Sequence, residues 1–274
     1  MNNSTRTAFI TGAARGQGRS HAVRFAEEGA NIIGVDVSTQ IETVPYPTAQ
    51  PGDLEETVRL VEAAGGRMLA SEVDVRDLPG LTKAADDGAK EFGRIDIVIA
   101  NAGINTMAPT LEMDEAMWQT MIDINLTGVW KTVRAAVPHI VAGDRGGSVV
   151  LVSSLAALMT NANIAHYTAA KAGMVGLMQV LAKELAPQNI RVNSVHPTTI
   201  ATDMVLNDAT YKLFRPDLDN PTRQDFEDAA AQMNPLPMPV PESVEITNAI
   251  MYLVSDDARY VTGNTHVVDG GARL

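Results

Sequence analysis

Strand-length apolar runs alternate with helical segments along almost the whole chain. Stretches of ten or more residues with helical periodicity separate most of these runs, as a crossover between parallel strands requires. The pattern predicts an α/β fold with a doubly wound, parallel, seven-stranded sheet of Rossmann type, covered by helices on both faces. Such sheets bind ligands at the carboxyl ends of their strands. The predicted strands span residues 8–11, 31–35, 68–73, 95–100, 148–153, 191–195 and 265–268.

The length and composition of the chain predict a single domain over residues 1–274. The 274 residues are 45% hydrophobic, which is enough for one substantial core, and they show no internal repeat. The sequence contains no cysteine, which excludes disulfides and thiolate chemistry and fits a reducing, cytoplasmic location. The apolar runs have the length of strands, so no membrane span is predicted.

Charge and histidine spacing narrow the range of ligands. The net charge of −12 argues against nucleic acid as a partner, because its phosphates would be repelled. The histidines are dispersed without the spacing of metal ligands, so no metal site is predicted. We expect the negative charge to serve solubility.

A glycine-rich turn joins the first predicted strand to the first predicted helix. Gly12, Gly16 and Gly18 lie in the run GAARGQG, and the helix is predicted from about Gln17 to residue 28. Glycines permit a tight turn and a close approach of the backbone, and the helix start aims its amides at a bound anion. The spacing is G-x-x-x-G-x-G. We interpret this turn as a cradle for the pyrophosphate of a dinucleotide.

The second predicted strand ends in Asp36, and this acid bears on the choice of nucleotide. A carboxylate at this position accepts hydrogen bonds from the adenosine ribose and repels a 2′-phosphate, so Asp36 favours NAD over NADP. The neighbouring Val37 is assigned to the same site. Arg15 keeps NADP open as an alternative, because a guanidinium in the glycine loop could pair with a 2′-phosphate or be an ordinary surface group.

Ser154, Tyr167 and Lys171 form the candidate catalytic group. Tyr167 and Lys171 are four residues apart, which places both side chains on one face of a helix. An ammonium beneath a phenol lowers the phenol pKa from its usual value of about 10, so Tyr167 is predicted to act as a base. The same spacing also occurs on ordinary solvated helices, and the surrounding motifs must decide between these interpretations.

Together the motifs resemble the short-chain dehydrogenase/reductase family over nearly the whole chain. The resemblance implies that Tyr167 is the general base, that Lys171 lowers its pKa and holds the nicotinamide ribose, and that Ser154 orients the substrate oxygen. It also implies that Asn125 supports a water-linked proton relay. The residues that carry the resemblance, in the order and spacing of the family, are TGAARGQG at 11–18, Asp36, Asp74, Val75, Asn101, Ala102, Gly103, Asn125, Ser154, Tyr167 and Lys171.

The resemblance implies further cofactor contacts at the ends of the third and fourth strands. Asp74 would contact the adenine amino group, with the backbone of Val75 beside it. Asn101, Ala102 and Gly103 would line the cofactor cleft after the fourth strand.

The run HPTTIAT at 196–202 matches the family less closely. Ile200 and Thr202 match positions that contact the nicotinamide carboxamide, and Thr202 could equally cap the next helix. Most of the family has Pro-Gly where this chain has Pro197 and Thr198. These two residues are assigned to the cofactor site, with the path of their loop left open.

Residues 37–53 form an insertion that is longer than such connections usually are. Its prolines make it extended and irregular, so it is either a surface loop or a cover over the adenosine end of the cofactor. With neighbouring motifs, it resembles the mycofactocin-coupled, carveol dehydrogenase-like subgroup of the family. That resemblance implies a tightly bound NAD that the redox carrier mycofactocin reoxidises in place.

Residues 198–241 are expected to form a substrate-binding loop, or lid, because long irregular segments in compact domains often close over ligands. Its apolar side chains would either line the substrate site or pack the lid onto the body or another subunit. These side chains, with three nearer Ser154, are Met204, Val205, Leu206, Tyr211, Leu213, Phe214, Met233, Leu236, Met238, Met107, Leu155 and Met159.

The sequence therefore predicts an enzyme that exchanges hydride between NAD and an apolar secondary alcohol or its ketone, of terpenoid or alicyclic, carveol-like type. Tyr167 would remove the hydroxyl proton while Ser154 holds the oxygen. An exchangeable NADP-dependent carbonyl reductase and a non-catalytic NAD-binding sensor are the alternatives. The family resemblance implies a homotetramer built on the predicted helices at 114–139 and 166–186 and the tail at 267–274.

Overall fold

A computed structural model describes residues 5–274, and the seven strands within these residues form one all-parallel sheet. The spatial order is β3-β2-β1-β4-β5-β6-β7, which confirms the predicted doubly wound fold. Residues 1–4 of the predicted 1–274 domain lie outside the described part of the chain. The strands are β1 Thr7–Thr11, β2 Asn31–Asp36, β3 Arg67–Glu72, β4 Ile97–Ala100, β5 Gly147–Val152, β6 Ile190–Pro197 and β7 Thr265–Val268.

Helices cover both faces of the sheet. Alternate residues of β1 point to opposite faces, so Ala8 and Ile10 join one apolar core while Phe9 joins the other. Because both faces of the sheet are buried, the sequences of the strands are nearly continuous apolar runs. The helices are α1 Gly16–Glu27, α2 Asp53–Ala63, α3 Leu78–Phe92, α4 Glu115–Ile122, α5 Gly128–Gly143, α6 Ala165–Leu185, α7 Asp208–Phe214, α8 Arg223–Ala231 and α9 Ser243–Val254.

The core on one face is built with α1, α2 and α9, and the core on the other face with α3, α5 and α6. The order of the strands reverses between β1 and β4. The strands β2 and β3 extend from β1 in one direction, and β5 to β7 extend from β4 in the other. Chain connections leave the sheet on opposite sides at this point, which opens a crevice at the carboxyl ends of β1 and β4.

The helix predicted at 114–139 is interrupted in the structure. The π-helical segment Asp123–Thr127 separates α4 from α5. A π-helical turn accommodates an extra residue and re-aims the side chains beside it, and such turns occur frequently at functional sites. Here it carries the buried Asn125, whose side-chain amide bonds the backbone of Ile104. Helical periodicity alone carries no signal for that long-range contact.

The lid segment (residues 198–241) contains more regular structure than the sequence predicted. Asn207 caps α7, and Thr222 and Asp225 form a reciprocal capping box at the start of α8. The two helices pack around the fully buried Phe226, whose ring lies 5.4 Å from that of Tyr211 and 4.9 Å from that of Phe214 between centroids. The lid therefore has a small apolar core of its own.

That core uses several of the side chains proposed as walls of a substrate site. Val205, Leu206, Tyr211 and Phe214 pack against the cluster around Phe226.

In residues 5–274, none of the helices combines the length and the apolar character needed to cross a membrane.

The variant Phe226→Ala tests whether this core holds the lid. Loss of the ring leaves a cavity between α7 and α8, and we expect it to cost about 3 kcal/mol of local stability. Hydrogen exchange of the α7 and α8 amides should become faster. Leu213→Ala on the neighbouring helix α7 is the matched control, because that side chain is 48% exposed and should change little. Unchanged exchange in Phe226→Ala would contradict this assignment.

Candidate active site

The turn between β1 and α1 packs closely against the end of β4. Gly12 and Gly16 have φ values of +70° and +52°, in the left-handed region that favours glycine. A Cβ on Gly12 would come within 2.8 Å of the Asn101 side-chain nitrogen, and one on Gly18 would overlap the Gly12 carbonyl oxygen. These three glycines therefore allow the turn to fold back on itself, and Gly18 lies behind it, not on the cleft surface.

Asp36 fastens this turn from the end of β2. Its carboxylate accepts hydrogen bonds from the backbone N–H groups of Ala14, at 2.9 Å, and Val37, at 2.8 Å. Burial raises the pKa of Asp36, and the two N–H donors and the charge of Arg15 oppose that rise. Each oxygen of the carboxylate accepts one of these bonds and keeps capacity for a further donor in the cleft.

Arg15 is engaged elsewhere. Its guanidinium donates to the carboxylate of Asp203 at 2.9 Å, which joins the glycine turn to the lid segment across the mouth of the cleft. The sequence left Arg15 open as a ligand for a 2′-phosphate. The structure instead gives it an acidic partner, and Asp203 is a residue that sequence reasoning missed because the pair is far apart in the chain.

Asp74 lies beyond β3 with a partner that the sequence analysis did not identify. Arg76 donates to its carboxylate through Nε at 3.0 Å and Nη2 at 2.6 Å. Burial disfavours the charged form, but the Arg76 guanidinium holds the pKa of Asp74 below its usual value. The carboxylate is thus ionised and fixed at the cleft, next to the buried Val75.

Asn101 ties the ends of β1 and β4 together. Its side-chain nitrogen donates to the backbone oxygens of Thr11, at 3.0 Å, and Gly12, at 3.3 Å. The Thr11 hydroxyl in return accepts from the backbone N–H groups of Asn101 and Ala102. These bonds hold the backbone of residues 101–103 as one wall of the cleft.

Gly103 separates two of the predicted catalytic residues. A Cβ at this position would lie 3.2 Å from the Asn125 side-chain oxygen and 3.4 Å from Lys171 Nζ. Asn125 exchanges two hydrogen bonds with the backbone of Ile104, accepting at 2.9 Å and donating at 2.7 Å. Asn125 thus holds the loop after β4 beside the lysine.

Tyr167 and Lys171 lie on α6, in the buried part of the site. Lys171 is 3% exposed, and its Nζ donates to the backbone oxygen of Val152 at 2.9 Å. The same nitrogen lies 5.6 Å from the centroid of the Tyr167 ring. Burial lowers the pKa of Lys171 to about 7.

The pKa of Tyr167 departs from the sequence prediction. The spacing with Lys171 predicted a lowered value, whereas burial raises the pKa of Tyr167, and the hydrogen bond with Ser154 opposes that rise. The difference arises because the lysine shares the same desolvated environment and its own charge is disfavoured there. Sequence spacing reports which groups are neighbours but not how deeply they are buried.

The insertion at residues 37–53, named the strap from here on, lies across the cleft. Val44 and Tyr46 are buried, and the Tyr46 hydroxyl accepts a hydrogen bond from the backbone N–H of Asn105 at 2.9 Å. These side chains belong to an apolar cluster against which Tyr167 and Met204 pack. The strap therefore extends from the end of β2 to Tyr167, farther than either the surface loop or the adenosine cover that the sequence left open.

The strap and the strand ends line a cleft that opens to solvent. Ile41, Tyr46, Thr48 and Ala49 of the strap line it. The predicted cofactor residues in its lining are Gly12, Arg15, Gly16, Gln17, Asp36, Val37, Asp74, Val75, Asn101, Ala102, Gly103 and Thr202. The anionic Asp74, the Asp36 carboxylate and the glycine turn thus share one elongated cleft.

The segment after β6 contributes less to the cleft than the sequence predicted. Pro197 is the last residue of β6, and Thr198 donates its N–H to the backbone oxygen of Val268 at 3.2 Å. Ile200 is buried in the core around α1 and α9. These three residues lie outside the cavity lining because they complete the sheet and the core, whereas Thr202 reaches the lining.

The described part of the chain contains no cluster of three or more His, Cys, Asp or Glu side chains with the arrangement of a metal site. Sequence reasoning missed the contacts that Tyr46, Arg76, Asn105 and Asp203 make at the cleft. The insertion itself was recognisable by its length and prolines, but its contact with Asn105 had no local signal.

Comparisons with known proteins agree with this architecture. A family model described as Enoyl-(Acyl carrier protein) reductase, of the short-chain dehydrogenase type, matches residues 12–273. The (-)-trans-carveol dehydrogenase of Rhodococcus erythropolis is 54% identical over 269 residues, which cover 97% of each protein.

Two solved structures are also similar. Carveol dehydrogenase from Mycobacterium avium in complex with NAD superposes with a TM-score of 0.97, at 50% identity and with 99% of each chain covered. A short chain dehydrogenase from Mycobacterium paratuberculosis bound to NAD has a TM-score of 0.88, at 43% identity and with 97% of each chain covered.

Proposed function

Because the chain belongs to the short-chain dehydrogenase/reductase family, we propose that it is an NAD-dependent alcohol dehydrogenase that interconverts an apolar secondary alcohol and its ketone. The observation that carries the proposal is the pairing of Tyr167 with Lys171, whose Nζ lies 5.6 Å from the centroid of the Tyr167 ring. The lysine lies next to Gly103 in the wall of the cleft that Asp36 also lines. Terpenoid or alicyclic alcohols such as carveol are the proposed substrates, and the 54% identity to a carveol dehydrogenase supports this choice.

The residues of the cleft fit NAD. The glycine turn leaves room for a pyrophosphate because Gly16 has no side chain. A Cβ on Gly16 would lie only 3.3 Å from the Thr202 side chain on the other side of this space. Asp36 keeps acceptor capacity for ribose hydroxyls, and its charge opposes a 2′-phosphate. Asp74, held by Arg76, would accept from the adenine amino group. The pairing of Arg15 with Asp203 favours NAD over NADP.

Tyr167 is proposed as the general base. Its hydroxyl oxygen removes the proton of the substrate hydroxyl, while Ser154 donates a hydrogen bond to the substrate oxygen. When bound, NAD accepts hydride from the carbinol carbon and brings a positive charge that favours the ionised tyrosine. Lys171 is proposed to hold the ribose and to add to that charge, and Asn125 to support a proton relay through water.

An apolar substrate agrees with the surroundings of Tyr167. Met204 of the lid packs against the same apolar cluster as the tyrosine, together with Ile104 and Met121. Leu155 follows the catalytic serine and is buried. Apolar walls bind an alicyclic alcohol by excluding water and leave the hydroxyl to be oriented by polar groups.

The variant Tyr167→Phe removes the base and keeps the ring. We expect carveol oxidation to fall by a factor of at least about 100, with the affinity for NAD nearly unchanged. Initial rates of NADH formation and titration with NAD measure the two effects separately. Tyr260→Phe is the matched control, since that side chain is 90% exposed. Retained turnover in Tyr167→Phe would refute the assignment.

We also propose that NAD is held tightly beneath the strap and reoxidised in place by mycofactocin. Two contacts support a closed cleft: Tyr46 is bonded to the Asn105 backbone, and Arg15 is paired with Asp203. The first contact is partly buried and joins the strap to the loop after β4. The second spans the opposite side of the cleft and is exposed, so it contributes less.

The variant Tyr46→Phe tests retention of the cofactor. It removes the acceptor of the Asn105 N–H at little change in shape, which should cost about 1.4 kcal/mol and speed NAD release about tenfold. Release is measured by displacing isotope-labelled NAD with an excess of unlabelled NAD. Tyr260→Phe serves as the control. Equal release rates in both variants and the native protein would argue against the strap as a cover.

We propose a cytoplasmic homotetramer. The absence of cysteine from the sequence supports the location. Exposed apolar side chains on α4, α5 and α6 support association through these helices, because monomers rarely leave such patches uncovered. They are Trp118, Trp130, Val141 and Val180.

A further inference from the structure

We propose that His196 is a positioning residue that holds the catalytic Ser154 through its backbone carbonyl. This inference rests on the proposed function, because it assigns a role within the same reaction. His196 Nδ1 lies 2.9 Å from the Ser154 backbone oxygen, and His196 Nε2 lies 2.7 Å from the Ser194 hydroxyl. The imidazole is fully buried.

The chemistry of these partners determines the tautomer of His196. A backbone carbonyl only accepts hydrogen bonds, so Nδ1 must carry the proton. In the neutral ring Nε2 then accepts, and the Ser194 hydroxyl donates to it. Ser194 thus fixes the ring in the form that bonds Ser154, much as second partners orient histidines elsewhere.

Ser154 lies just beyond the sheet, where its backbone oxygen also accepts from the Ala157 N–H and its hydroxyl accepts from the Ala156 N–H, both at 3.1 Å. His196 adds the contact that joins Ser154 to the neighbouring strand β6. The last backbone ladder bond between β5 and β6 runs from the Ser153 N–H to the Val195 oxygen at 2.9 Å. Ser154 is the next residue after Ser153 beyond β5, and His196 is the next residue after Val195 in β6. The side chain of His196 therefore extends the strand pairing by one position.

The environment keeps His196 neutral. Burial lowers its pKa, the bond to Ser154 opposes that change, and the charges that Lys171, Arg273 and His266 carry when protonated lower the pKa further. While the imidazole stays neutral, Nδ1 therefore remains the donor to the Ser154 oxygen.

The position of Ser154 bears on Tyr167. The hydrogen bond with Ser154 lowers the pKa of Tyr167 against the effect of burial. Lys171 on the same helix and Tyr46 of the strap are the other titratable groups near the phenol. A displaced Ser154 would therefore weaken the orientation of the substrate and make the base harder to ionise.

Two substitutions at one position separate positioning from packing. His196→Leu removes the donor, and we expect kcat for alcohol oxidation to fall about tenfold or more. The rise of the rate with pH should move to higher pH, while the affinity for NAD stays unchanged. His196→Asn places an amide donor near the position of Nδ1 and should restore most of the rate and the native pH profile.

Equal losses in His196→Leu and His196→Asn would show that the ring only fills space, and native rates in His196→Leu would also overturn the proposal. The native protein and Tyr167→Phe are measured beside them. A native protein without dehydrogenase activity would refute the proposed function and leave the contact of His196 to be judged by a second measurement.

That measurement is the imidazole nitrogen NMR spectrum of the protein labelled at histidine, with the His196 signals assigned by their loss in His196→Asn. We expect the neutral tautomer with the proton on Nδ1. Ser194→Ala should retain the fold and shift part of the population to the other tautomer, because Nε2 loses its donor. A native His196 with its proton on Nε2 would overturn the inference whatever the activity.

Discussion

The hydrogen bonds of Asn101 at the switch point of the sheet are the contact on which the site depends. They hold the ends of β1 and β4 together at the place where the strand order reverses. The sheet is buried on both faces, so chemistry is confined to its carboxyl edge. The glycine turn, Asp36 and the loop after β4 are all positioned relative to this edge.

From that edge, the site is built by side chains that bond backbone groups. Asn125 holds Ile104, Lys171 bonds the Val152 oxygen, and Tyr46 accepts from Asn105. The bonds of Asn125 and Tyr46 fix the loop after β4, and the bond of Lys171 ties α6 to the end of β5. The strap joins the cleft to the proposed catalytic centre, because the cluster that contains Tyr46 also contacts Tyr167.

The doubly wound parallel sheet and the neighbours on one helix could be predicted from the sequence, because they follow from local periodicity and spacing. The interrupted helix around Asn125, the helices of the lid and the bond of Tyr46 with Asn105 could not, because each depends on residues distant in the chain. The capping box of Thr222 and Asp225, by contrast, is a local sequence signal for the start of α8. The raised pKa of Tyr167 depends on burial, which spacing does not report.

The most direct test of the account is a single turnover with carveol carrying deuterium at the carbinol carbon. The purified protein is mixed with this alcohol and with NAD, denatured in cold methanol, and its nucleotide is analysed by mass spectrometry. When both reactions are stopped at the time that completes turnover in the native protein, we expect NADH that carries one deuterium there and at most about one hundredth as much in Tyr167→Phe. Unlabelled nucleotide in the native protein, or equal labelling in Tyr167→Phe, would contradict the assignment.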